Sequence, residues 1–115
     1  MSRHDDRVTL RQMLDHAREV LTLTTGRSRS DLDTDRLLYL GLLQLLQIIG
    51  EAPNRLTEDF RRSHPEIPWA EIIALRNRLI RGYNSMDSAI VWKIVEVDTR
   101  AFVSSLEKIR SANST

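Results

Sequence analysis

Apolar residues recur along this chain at steps of three and four, and no stretch alternates with a period of two. Leu10, Met13, Leu14, Ala17, Val20 and Leu21 fall on one face of a helix from about Asp6 to Thr24. Asp5 or Asp6 can cap its start by accepting backbone N–H bonds, and Gly26 is placed to end it. Arg27-Ser28-Arg29-Ser30 then reads as a polar connection. A second helix begins between Asp31 and Asp35, where acidic side chains meet the positive helix end, and continues from Leu37 to Ile49. It is apolar nearly all the way round, which predicts burial on more than one side. A bundle of this size cannot easily cover such a helix, so a second copy of the chain is expected to help. Gly41 and Gly50 would let another backbone come close, and Pro53 should kink or break the helix because it clashes with the carbonyl of Ile49.

Thr57 is a suitable cap for a short helix through Phe60 that stops before Pro65. Pro65-Glu66-Ile67-Pro68-Trp69 reads as a stiff connection, with Pro68 suited to the first position of the next helix. That helix carries Trp69, Ile72, Ile73, Arg76, Ile80 and, if it continues so far, Tyr83 along one stripe, and Gly82 is placed to end it. A last helix opens at Asp87 and runs to about Ser111. Its expected buried face is Ile90, Val91, Ile94, Val97, Phe102, Val103, Leu106 and Ile109. The pattern predicts one all-α domain over residues 1–115, an antiparallel bundle of four to five helices, frayed at 1–5 and 112–115.

Composition narrows the function classes. Hydrophobic content of 41% and charged content of 29% are those of an ordinary globular protein. No apolar run approaches the roughly eighteen residues of a membrane span, and the charged start Met1-Ser2-Arg3-His4-Asp5-Asp6 does not read as a secretory signal. Without cysteine there is neither a disulfide nor a thiolate metal site, so a cytoplasmic location is expected. A net charge of +1 excludes a generic polyanion binder. Between residues 61 and 83, however, Arg61, Arg62, Arg76, Arg78 and Arg81 face only Glu66 and Glu71.

The densest part of that patch is Arg76-Asn77-Arg78-Leu79-Ile80-Arg81-Gly82-Tyr83, which has no acid of its own. Closely spaced guanidiniums repel one another, and each offers a planar fork of donors to phosphate oxygens. A helix surface laced with salt bridges would use the same residues. Glu51 suits an ion pair with Arg76, and Arg81 suits a helix C-terminus. Tyr83 also fits a core aromatic with a wet hydroxyl, and Trp69 and Trp92 fit packing roles. His4, His16 and His64 match no metal-ligand spacing and are expected to be exposed.

Ile49-Gly50-Glu51-Ala52, Pro65-Glu66-Ile67-Pro68-Trp69, Arg76-Asn77-Arg78, Gly82-Tyr83, Asp87 and Trp92 form an ordered set. With these residues the chain resembles the HepT-like branch of the HEPN superfamily from about Asp5 to Ile109. The resemblance implies a helical homodimer acting as the toxin of a bacterial toxin–antitoxin module. The toxin is a metal-independent endoribonuclease that needs no cofactor. Its partner is a nucleotidyltransferase of the MNT type, which silences it by transferring AMP to the motif tyrosine. That motif is Arg, four to six residues, His, any residue, Tyr. Arg76 matches its arginine, Asn77 the polar residue that commonly follows, and Tyr83 the modified tyrosine, while Glu51 would support Arg76 from behind. Arg81 stands where the histidine is expected.

That departure bears on catalysis. Histidine can take or give a proton near neutral pH, whereas arginine remains protonated and offers only charge. Loss of acid–base help costs roughly 10²–10⁴ in rate, so weak or absent RNA cleavage is expected. Positions 76 and 81 also lie about 140° apart on a continuous helix, while Asn77 and Arg81 share a face. Joining Arg76 and Arg81 at one phosphate requires unwinding near Gly82 or two copies of the motif across a dimer. A non-catalytic homodimer that binds or regulates a nucleotidyltransferase is the competing reading, and an unrelated helical binding module is the third.

Overall fold

The computed structural model describes residues 5–81 and 87–113, with the side chains of 78–81 and 112–113 left out of the description. All described elements are helical. Helix α1 spans Asp6–Thr24, a single turn α2 spans Asp31–Thr34, and α3 spans Arg36–Glu51. A 3₁₀ turn, Ala52–Arg55, leads to α4 (Glu58–Ser63) and then α5 (Trp69–Arg81). The chain closes with α6 (Ser88–Lys93), a π-helical stretch Ile94–Thr99 and α7 (Arg100–Asn113).

The helix ends have identifiable causes. Asp5 caps α1 by accepting the Arg7 N–H at 2.9 Å. Its neighbour Asp6 does something else: its carboxylate accepts the Thr57 N–H at 2.9 Å and the Thr57 hydroxyl at 2.6 Å. Thr57 in turn caps α4 by accepting the Phe60 N–H at 3.1 Å, so one carboxylate ties the start of α1 to the start of α4. Gly26 follows the end of α1 with φ +75°, the left-handed conformation that glycine tolerates best. Pro53 falls in the 3₁₀ turn that ends α3, as its clash with the Ile49 carbonyl requires. Pro68 sits one residue ahead of α5, where its carbonyl accepts the Ile72 N–H at 3.1 Å.

Helix α1 lies at the centre, packed against α3 on one side and against α7 and the π stretch on the other, and α5 covers α3 from outside. Met13, Leu14, Ala17 and Val20 of α1 are fully buried with Leu42, Leu46, Val91, Val95 and Leu106.

Two expectations are sharpened and one is corrected. The second helix is not continuous from Asp31: Asp35 is extended (φ −109°, ψ 93°) and caps α3 by accepting the Leu38 N–H at 3.1 Å. Helix α3 is incompletely covered by the described residues of its own chain, as expected of so apolar a helix in a bundle of this size. Leu38, Leu42, Leu43, Leu46, Ile49 and Gly50 are buried, but Leu37 is 83% exposed. In the last helix Ile90 and Val97 are exposed, while Val95 and Thr99 are buried. The π stretch explains the outward turn of Val97. It spends an extra residue per turn, as the 3.0 Å bond from the Thr99 hydroxyl to the Ile94 carbonyl five residues back illustrates, and so rotates the buried face.

Candidate functional site

The seam between α3 and α5 is in close contact where α3 ends. Gly50 is buried there, and a Cβ added to it would overlap the Cβ of Arg76 and lie 3.1 Å from the Arg76 Cα. Glycine at 50 therefore lets the α5 backbone come within contact of α3. The next residue, Glu51, brings its carboxylate to the same seam, where Oε1 accepts a hydrogen bond from Nη2 of Arg76 at 3.2 Å. Nη1 of Arg76 donates to Oδ1 of Asn77 at 3.3 Å. The Arg76 and Glu51 side chains are 31% and 41% exposed, so water screens the pair. An ion pair of that kind contributes at most about 1 kcal/mol, and its larger effect is to aim the guanidinium.

Nε of Arg76 is enclosed and has no acceptor among the described residues. Each terminal nitrogen still carries a second hydrogen beyond the bonds to Glu51 and Asn77. Those hydrogens can grip two oxygens of one phosphate. Sequence reasoning anticipated the Glu51–Arg76 pair and flagged Gly50 for a close backbone approach. It did not foresee that the approaching residue is Arg76 itself.

Elsewhere in the patch, Arg61 also has an enclosed Nε with no acceptor among the described residues, whereas the charge of Arg62 is taken up by acids. Arg62 bonds Asp59 at 2.8 Å and lies 3.9 Å from Glu58. The Trp69 indole N–H is shared between the carbonyls of Arg61 and His64, each at 3.1 Å, which fixes the α4–α5 connection and gives Trp69 a packing role. His64 departs from expectation. It is half-buried, its ring 4.6 Å from that of Phe60 and its Nδ1 3.3 Å from Glu66. His16 lies 3.9 Å from Glu19. No group of His, Asp and Glu among the described residues is arranged to hold a metal ion.

Arg81 ends α5, and its side chain, with that of Arg78 and the whole of Tyr83, lies outside the described residues. Because α5 is continuous through 76 and 81, those positions stay about 140° apart around its axis. A second cleft, of about 490 Å³, opens between α5 and the last helix, with Glu66, Glu71 and Asp98 around Ile72, Leu75 and Phe102. Its acidic rim repels a nucleic-acid backbone. No described helix is long and apolar enough to cross a membrane.

Comparison with known proteins identifies the family. Residues 13–109 match the family model described as "Ribonuclease HepT-like". The chain is 34% identical over 98 residues to "Putative RNase MJ1380" of Methanocaldococcus jannaschii, an alignment covering 85% of this chain and 90% of that one. It is 38% identical over 76 residues to "Probable ribonuclease HepT" of Thermococcus cleftensis, covering 66% and 69% of the two chains. A third relative, "Putative RNase TTE0752" of Caldanaerobacter subterraneus, is 32% identical over 86 residues, or 75% and 77% of the chains. No solved structure matches. A family match spanning most of the helical bundle, with Gly50, Glu51, Arg76 and Asn77 inside it, places this chain in the HepT-like ribonuclease family of the HEPN superfamily.

Proposed function

We propose that this protein is the toxin of a toxin–antitoxin pair, a homodimeric, metal-independent endoribonuclease that is slow because Arg81 occupies the histidine position. The observation that carries the reading is Arg76, followed by Asn77 and seated on Glu51 at the α3–α5 seam, in a chain of this family. Metal-free cleavage of RNA proceeds by attack of the 2′-hydroxyl on the adjacent phosphorus, with departure of the 5′-oxygen. Arg76 binds the non-bridging oxygens, whose charge grows in the transition state. Glu51 and Asn77 hold the guanidinium in line for that task. Arg81 adds charge but cannot accept the 2′-hydroxyl proton.

Two copies are part of this proposal. The angular separation of 76 and 81 on α5 means that both reach one phosphate only when two motifs meet, and Leu37 leaves apolar surface for such a partner. In the intact module, an MNT-type nucleotidyltransferase transfers AMP to the Tyr83 hydroxyl and so blocks the site. Intact-mass spectrometry with such a partner and ATP should show added AMP on the protein and none on Tyr83→Phe. Arg81 also favours a second reading, a homodimer that binds the nucleotidyltransferase without cleaving RNA. Cleavage assays in chelator separate the two. Arg81→His should produce RNA cleavage that the starting protein performs poorly, and adding Arg76→Ala should remove it. An Arg81→His protein that folds and dimerises but leaves RNA intact would favour the non-catalytic reading.

A further inference from the structure

We infer that Gly50 is a positioning residue for Arg76, an inference that rests on the ribonuclease reading for its effect on RNA but not for its effect on the guanidinium. Arg76 does not reach the seam by the length of its side chain alone. Its Cβ and backbone are pressed against α3 at the one position in that stretch without a side chain. Any Cβ at 50 would meet Arg76 Cβ as well as the Cα and Cγ, the latter two at 3.1 Å, and the encroached atoms are the root of the side chain, which cannot swing aside. Relief would have to come from moving α5 outward or turning it.

Either movement acts on the same three contacts. The bond from Nη2 to Glu51 Oε1 is 3.2 Å and that from Nη1 to Asn77 Oδ1 is 3.3 Å, so both are already near the long end of the useful range. Nε is sealed from water by the close packing of the same seam. A shift of a few tenths of an ångström at the Arg76 Cβ would loosen both bonds and open Nε to solvent. Glu51 aims the guanidinium from its far end, and Gly50 sets where the side chain starts. Gly41, on the same helix, has nothing within 4 Å of its missing Cβ, so close approach is a property of position 50 and not of α3 glycines in general.

The variant to make is Gly50→Ala, with two readouts. The first is the side-chain Nε–H signal of Arg76 in a ¹H–¹⁵N NMR spectrum, assigned by its loss in Arg76→Lys. It should be protected from solvent exchange in the starting protein and should exchange at least about tenfold faster in Gly50→Ala, as expected when a buried donor gains access to water. The second is affinity for a fluorescein-labelled 2′-O-methyl oligoribonucleotide, which binds as RNA does but lacks the attacking hydroxyl. Gly50→Ala should weaken binding about tenfold in the starting protein and leave it unchanged in an Arg76→Ala background, because its effect passes through that guanidinium. A loss of equal size in both backgrounds would make Gly50 a merely structural residue and overturn the proposal. So would an Arg76 Nε–H that exchanges freely in the starting protein, a result that decides the matter even if Gly50→Ala does not fold. If the oligonucleotide fails to bind the starting protein while the Nε–H signals behave as expected, the ribonuclease reading falls and the positioning role stands.

Discussion

Helix α3 shows two faces to the rest of the molecule, and its two internal glycines mark them. Gly41 and Gly50 are nine residues apart, about 180° around an α-helix. At Gly50 the helix is in contact with the α5 backbone, and the seam carries Glu51 and Arg76. At Gly41 no other part of the described residues lies within 4 Å of the missing Cβ, and Leu37, one turn earlier, is 83% exposed. One face holds an arginine in place, and the other is half-buried at Gly41, Leu45 and Ile48 and open at Leu37. Composition treats both faces alike, since leucine and isoleucine dominate each. What separates them is the neighbour: the α5 backbone meets one face at Gly50, while on the other Leu37 stays exposed.

The largest expected effect sharpens this difference through stability. Leu42→Ala or Leu46→Ala, both on the closed face and essentially inaccessible, should cost about 2–5 kcal/mol in urea denaturation. Leu37→Ala, within one chain, should change it by less than about 0.5 kcal/mol. A large cost at Leu37 would mean that the open face is covered in solution, and light scattering then identifies the cover. The proposed homodimer should give twice the 13.3 kDa chain mass at micromolar concentration, and Leu37→Glu should return it to 13.3 kDa. A starting protein that already scatters as a monomer would break the dimer expectation. The smallest effect belongs to the polar edge of the closed face. Glu51→Ala should lower stability by no more than about 1 kcal/mol, because the pair is partly solvated. It should nonetheless weaken RNA binding several-fold, since an unaimed guanidinium must be ordered by the ligand. Unchanged RNA affinity in Glu51→Ala would remove Glu51 from the site.

Much of this architecture was legible in the residue pattern. The limits of α1, the caps at Asp5, Thr57 and Asp87, the turn at Gly26 and the break near Pro53 each follow from a local rule about N–H donors, φ angles or the proline ring. Features that depend on distant parts of the chain were not. Nothing local in Val97 reveals that a π stretch turns it outward, and nothing in Leu37 reveals that it stays exposed. His64 looks like a loop residue by sequence, yet the Phe60 ring and the Trp69 indole fold its connection inward. At the candidate site, the Glu51–Arg76 pair could be guessed from complementary charge. The role of Gly50 required the geometry, because a missing side chain has no chemistry of its own to read. Arg81 and Tyr83 were singled out by motif and fall where side chains are outside the description, so their roles are carried by the family resemblance and by the experiments above.

A phosphate-binding role for Arg76 is best tested against another arginine of the same basic stretch. Affinity of a 2′-O-methyl oligoribonucleotide should be measured for Arg76→Ala and for Arg62→Ala, with circular dichroism confirming that both keep their helices. Arg62 is already engaged by Asp59 at 2.8 Å and sits on α4, away from the α3–α5 seam. If the seam is the binding site, Arg76→Ala should weaken binding by about tenfold or more, and Arg62→Ala should leave it within about twofold. Equal losses at the two positions would mean that the RNA reads a diffuse basic surface, and that the seating of Arg76 on α3 serves the fold alone.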